Sequence, residues 1–307
     1  MNIRLNNKIE IDITTLSEGS IIKEWDNERG YVEVYKNLLK SDSSKAILYI
    51  HGGGFLYDSP RSPAYVSICK KLCKYTGYNV YCPDFVLPEI KRYPCQLSDI
   101  LNVVKYIKKS YKKIILIGDS SGGCIAMSML IKYTKMFEIG IFISPWLDLK
   151  CQTISYKTRA WCNKMKTGDP VFKMTPKKNR EFFKKDAIKY LGNKKLLNDD
   201  IANPYYAKKS ILKKIPPILI LVGDNETIRN DSLDFALNCQ SVNNNIFVKL
   251  YDKMWHNWVI YDEESIENHD KDAFNMIVKF CHGKNINDKY TFNNKHDRDS
   301  INVSIIL

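Results

Sequence analysis

Short runs of apolar residues recur along the chain at 46–50, 79–82, 114–117, 140–143, 218–222 and 247–250, rich in Ile, Val, Leu and Tyr. Runs this short and this uniformly apolar predict strands buried on both faces, as in a parallel sheet. Between them, residues 63–75, 97–109, 124–133, 231–239 and 270–280 carry apolar positions three and four apart, which predicts helices with one apolar face. Strand and helix in alternation predict an α/β chain, with an open, mostly parallel central sheet and helices on both faces.

Two segments break the alternation. Residues 1–44 hold an amphipathic piece near 21–25 and a strand-like 31–35, and residues 150–197 are lysine-rich with scattered aromatics. In α/β enzymes such segments fold over the carboxyl ends of the strands, where open sheets bind ligands, so both are assigned to a cap. The body is then residues 45–284, with 150–197 as a cap insertion. Residues 285–307, rich in Asn, Asp and Lys, are expected to form a disordered tail.

Composition narrows the setting. At 307 residues, 44% hydrophobic and 26% charged, the chain has the balance of one large domain. No apolar stretch approaches the roughly 20 residues that span a bilayer, and residues 1–16 lack the apolar core of a signal peptide. Nine cysteines without a pair of CxxC units indicate neither a metal site nor a disulfide framework, so reduced thiols and a cytoplasmic location are expected. A net charge of +13 would suit nucleic acid or an anionic membrane. The lysines, however, read as pairs spread along the chain, a solvated surface, and no nucleic-acid motif accompanies them.

The candidate chemistry starts at Gly118-Asp119-Ser120-Ser121-Gly122, between a buried strand and a helix start. This is the pattern of a nucleophile elbow: glycines flank the serine where the turn is too tight for side chains, and the turn pushes the Ser120 hydroxyl into the open. The following helix directs its first N–H groups and the positive end of its dipole to where an oxyanion would form. Upstream, His51-Gly52-Gly53-Gly54 follows another apolar run. Backbone without side chains can turn its N–H groups toward a reacting carbonyl, as in the HGGG loop of lipases and esterases. The run lacks the Lys-Ser/Thr of a P-loop and the GxGxxG spacing of a dinucleotide site.

A serine needs a base to take its proton. Of the five histidines, His51 belongs to the glycine loop, His269 to an acidic helical stretch, His282 to a helix end and His296 to the tail. His256, in Met254-Trp255-His256-Asn257-Trp258 after a late strand, is the candidate. The acid that holds the ring should follow a strand between Ser120 and His256. Asp224 and Glu226 both do so, and spacing alone does not choose between them.

These residues resemble those of the hormone-sensitive-lipase-like esterases, the fold-3 type of α/β hydrolases, over about residues 46–280. His51-Gly-Gly-Gly54 corresponds to that family's oxyanion signature, Gly118-Asp-Ser-Ser-Gly-Gly123 to its elbow, and Ser144-Pro-Trp-Leu-Asp-Leu149 to its SPWxDL turn. Leu87-Pro-Glu89 with Tyr93-Pro94 resembles the stretch after the second strand. Residues 222–231 are similar to the acid motif in a version where Glu replaces the commoner Asp, which selects Glu226.

The resemblance implies the α/β-hydrolase fold with a helical cap. It also implies a Ser120-His256-Glu226 triad that cleaves small or short-chain acyl esters through an acyl-enzyme, with no metal or cofactor. The backbone N–H groups of Gly53, Gly54 and Ser121 would form the oxyanion hole. Two departures stand out: Ser121 where Ala is usual, and the basicity of the insertion. Phe55, Tyr57 and Trp146, with Trp161 and Phe172, are candidates to line the substrate pocket or to belong to the core.

The expected partner is a small-molecule ester, and neither nucleic acid nor an integral membrane is expected. A weak contact with an anionic surface and a homodimer are both admitted. An amidase or deacetylase would use the same triad, and a non-catalytic receptor of the same fold is the alternative of a different class. The presence of His256 argues against the receptor.

Overall fold

The computed structural model describes residues 3–5, 9–15, 31–37, 44–243, 245–261 and 267–284. Its strands are β1 (Ile3–Leu5), β2 (Ile9–Thr15), β3 (Tyr31–Asn37), β4 (Lys45–Ile50), β5 (Asn79–Pro83), β6 (Lys113–Asp119), β7 (Ile139–Ile143), β8 (Ile218–Gly223) and β9 (Ile246–Tyr251). Its helices are α1 (Pro63–Thr76), α2 (Cys95–Ile107), α3 (Ser120–Lys132), α4 (Ser155–Thr158), α5 (Pro176–Leu191), α6 (Lys209–Leu212), α7 (Arg229–Gln240) and α8 (Glu267–Cys281). Among the described residues these strands form one sheet in the order β1-β2-β3-β5-β4-β6-β7-β8-β9. From β5 to β9 every neighbour is parallel, while β1, β2 and β3 join antiparallel.

The uniformly apolar runs have a direct cause, because both faces of the sheet are covered. In β8, Ile218, Ile220 and Val222 enter the core shared with α2, α3 and α7, whereas Leu219 and Leu221 enter the core shared with α1 and α8. β4 and β6 sort their side chains the same way. Each such side chain contributes about 2 kcal/mol by leaving water, so a strand needs apolar residues at successive positions rather than alternate ones.

The six strands and five helices expected from periodicity are present, with ends moved by a few residues. The largest shift is at α3, which begins at Ser120 itself, because Gly122 and Gly123 lower helix propensity where the helix starts. The strand expected near 31–35 is β3, which pairs with β5. β2 was not expected from the apolar runs: its sequence alternates apolar and polar residues instead of running continuously. The pieces at 21–25 and 285–307 lie outside the described residues. In the lysine-rich insertion, α5 opens with Pro176 in its first turn and closes at Gly192, whose φ of 71° suits the left-handed cap. No helix among the described residues is long and apolar enough to cross a membrane.

The sheet order also creates the site. β4 and β6 are neighbours although β5 lies between them in sequence, so the winding reverses there. Ile50 and Gly118 are register partners at the carboxyl edge, so the loops that leave β4 and β6 start side by side.

Candidate active site

The turn from β6 into α3 holds Ser120 at φ 49°, a left-handed conformation that a residue with a Cβ adopts at a cost of about 1–3 kcal/mol. Its neighbours show why glycine is needed. A Cβ on Gly122 would lie 2.2 Å from the His51 carbonyl oxygen and 2.3 Å from that of Ile50, and one on Gly118 would lie 2.7 Å from the Gly122 carbonyl oxygen. Because the atoms in the way are backbone, Gly122→Ala is expected to cost on the order of 4 kcal/mol. A thermal melt should show a Tm lower by about 10 °C, and an unchanged Tm would refute this close packing.

At the end of β9, the loop turns through Asn257 at φ 61° and brings His256 back to the elbow. His256 Nε2 lies 2.9 Å from Ser120 Oγ, and Nδ1 lies 3.4 Å from Glu226 Oε2. With the neutral ring protonated on Nδ1, the hydroxyl donates to Nε2. The other oxygen, Glu226 Oε1, accepts the Ser144 hydroxyl at 2.7 Å and the Gly223 N–H at 2.5 Å. Ser144 also accepts the Asn257 N–H at 3.1 Å, so the end of β7 ties the acid loop to the histidine loop. Asp224, the other carboxylate after β8, is turned to Arg159 and Arg229 at 3.1 and 2.5 Å.

Burial sets the electrostatics. It pushes the Glu226 carboxyl up to about 8, with Ser144 and the Gly223 N–H pulling the other way. It lowers the His256 imidazole, and the charges of Asp169 and Asp119 oppose that. A cationic ring beside the carboxylate favours its charged form, so the two charges support each other.

The glycine loop is locked beside the elbow. Gly53 and Gly54 have φ of 99° and 60°, and among the described residues their N–H groups have no acceptor. The Phe55 N–H donates to the Ser121 hydroxyl at 3.0 Å, so Ser121, one of the departures from the family's usual pattern, staples the loop to the elbow. Asp119 is a second clasp. Its carboxylate accepts from Tyr49, Tyr65, the Gly52 N–H and Asn257 at 2.8–3.1 Å, joining the elbow to both loops.

Phe55 and Trp146 are buried side by side with ring centroids 5.1 Å apart, and Phe55 stacks on Tyr190 at 4.0 Å. Tyr57 is 60% exposed. Phe172 lies 5.2 Å from the His256 ring. Lys173 Nζ lies 5.5 Å from the centroid of the Trp161 ring.

Sequence reasoning did not single out Asp119, Ser144, Asn257 or Asp169. Asp169 is buried, accepts the Thr227 and Val171 N–H groups at 2.9 and 3.1 Å, and is pushed up to about 6 by burial. Its signal was an acidic residue inside a strongly basic segment. Asp119 had one too, as a carboxylate between the elbow's glycine and serine.

A parallel sheet that reverses its order beside a serine on a strand-to-helix turn is the architecture of the α/β hydrolases. Comparison with known proteins agrees: a family model described as alpha/beta hydrolase fold matches residues 47–260, and the chain belongs to that family. An acetyl-hydrolase of Streptomyces hygroscopicus is 24% identical over 71% of this chain and 69% of its own length. A gibberellin receptor of Arabidopsis thaliana is 30% identical over only 34% of this chain and 32% of the receptor. Among solved structures, an esterase from the bacterial hormone-sensitive lipase family superposes with a TM-score of 0.71 at 23% identity, covering 92% of this chain and 86% of that one.

Proposed function

We propose that the chain is a serine carboxylic ester hydrolase with Ser120 as nucleophile, His256 as base and Glu226 as the acid that orients it. The observation that carries this reading is the 2.9 Å separation of Ser120 Oγ and His256 Nε2 at a strained elbow. His256 takes the serine proton as Oγ attacks the ester carbonyl, and Glu226 holds Nδ1–H and stabilises the imidazolium. The N–H groups of Gly53, Gly54 and Ser121 receive the oxyanion of the tetrahedral intermediate. His256 then gives its proton to the leaving alkoxide, and water repeats the sequence on the acyl-enzyme.

The acyl group is small or short. The Trp146 backbone N–H donates to the Ser120 carbonyl, the Phe55 backbone N–H to the Ser121 hydroxyl, and both rings are packed against Tyr190 or Phe183, so aromatic side chains fill the volume beside the nucleophile. Residues 150–197 are assigned to a cap insertion and 45–284 to the body; of residues 1–44, expected to belong to the cap, β1, β2 and β3 instead extend the body's sheet. Phe172 against His256 supports the cap insertion. Nine free thiols accord with a reducing, cytoplasmic setting.

The partial likeness to a receptor favours a second reading, ligand binding without turnover. A p-nitrophenyl ester series from acetate to palmitate separates the two, with a matched amide series to expose an amidase or deacetylase. Hydrolysis with a short-chain optimum is expected. No turnover of any ester or amide, together with no labelling of Ser120 by a fluorophosphonate, would establish the receptor instead.

A further inference from the structure

The net positive charge of the chain is concentrated in one segment. Residues 150–197 hold 14 Lys and Arg against 3 Asp and Glu, a surplus of 11 out of the chain's 13, so the rest of the molecule is almost neutral. Two of those three acids, Asp169 and Asp186, are buried. The reading of the lysines as evenly spread therefore fails when the charge is counted by segment.

The same segment exposes apolar side chains. Ile154, Met165, Val171 and Phe182 make up half of the eight large hydrophobic residues exposed among the described residues, within less than a fifth of the chain. Cys162 and Thr167 pair as a bridge, and between them Asn163-Lys164-Met165-Lys166 forms an exposed tip with Met165 67% accessible. The partly exposed Phe182 ring meets Phe172 at 6.3 Å, and Phe172 meets His256 at 5.2 Å, so this face borders the site.

Water suits the lysines but not the apolar tips between them. An anionic bilayer suits both, because headgroup charges pair with lysines while Met and Phe enter the acyl boundary. Nucleic acid would reward the lysines and the Phe182 ring at most, since Ile154, Met165 and Val171 have no ring on which a base could stack. We propose that the 150–197 face docks on an anionic phospholipid surface, with Met165 and Phe182 entering the interface and the mouth of the site turned toward it. Docking goes beyond the esterase reading and does not depend on it.

The test is co-sedimentation of the full chain, wild type and Ser120→Ala, with phosphatidylcholine vesicles that contain or lack about 30% phosphatidylserine. Binding to the anionic vesicles is expected to be at least about tenfold stronger and to fade as salt rises from about 0.1 to 0.5 M. Met165→Ser with Phe182→Ser, and separately Lys164→Ser with Lys166→Ser, should each weaken binding by about tenfold, whereas Lys108→Ser with Lys109→Ser should not. Equal partition onto neutral vesicles, or equal loss in the Lys108 and Lys109 variant, would overturn the proposal. So would binding to a single-stranded RNA that ignores Met165 and Phe182, with vesicles left unbound. Because Ser120→Ala should dock as well as wild type, loss of turnover and loss of docking remain separate results.

Discussion

Replacing Ser120 by alanine is expected to lower kcat for a short-chain p-nitrophenyl ester by about a million-fold. The change removes Oγ and nothing else: the Cβ remains, the φ of 49° costs alanine what it costs serine, and the glycines beside it are untouched. KM and Tm should therefore stay close to wild type. His256→Ala should cost about as much, and the double variant no more than either, because nucleophile and base act as one unit. Residual activity within about a hundredfold of wild type in Ser120→Ala would remove Ser120 from the mechanism. Losses in the two single variants that multiply in the double would mean that the 2.9 Å contact is not the route of the proton.

Glu226→Gln is expected to lower kcat by about ten-thousand-fold, with little change in KM. The amide keeps the shape but loses the negative charge that stabilises the imidazolium as it forms, and it no longer imposes the tautomer in which Nε2 is free to accept. Asp224→Asn is the matched control. Its carboxylate faces Arg159 and Arg229 rather than the ring, so kcat should stay within about threefold. If the two variants exchange their effects, the acid has been misassigned.

The pH profile adds a sign. Only the neutral ring is a base, and burial lowers His256 below the 6.5 of a free imidazole. Activity should thus persist as pH falls through 6.5 and decline only below it, in a profile of kcat/KM for the wild type. An acid limb centred above 7 would mean that the raised Glu226 carboxyl, and not the imidazole, limits the activity.

How much of this was legible in the chain depends on the distance over which each feature is determined. The strands at 46–50, 114–117 and 218–222 were readable because a sheet covered on both faces demands an apolar residue at every position. β2 was not read from those runs, because its pattern has a period of two and carries no continuous apolar stretch. The elbow and the glycine loop were readable because each demands glycine at fixed positions: Gly118 and Gly122 leave no room for a Cβ, and Gly53 has a positive φ.

The sequence by itself determined the α/β alternation, the elbow around Ser120, the His51–Gly54 loop and the candidacy of His256. All of these follow from backbone conformation and side-chain periodicity within a few residues. Spacing left Asp224 and Glu226 open and only the family resemblance selected Glu226; the tertiary structure turns Glu226 to the ring, while Arg159 from the insertion and Arg229, five residues further on, hold Asp224 away. Only the tertiary structure decided that Asp119 clasps two loops, that Ser144 bridges acid and histidine, and that Phe172 carries the exposed Phe182 to the edge of the site. Those contacts join residues far apart in the chain, and the order in which strands lie in the sheet brings them together; no local pattern encodes that order.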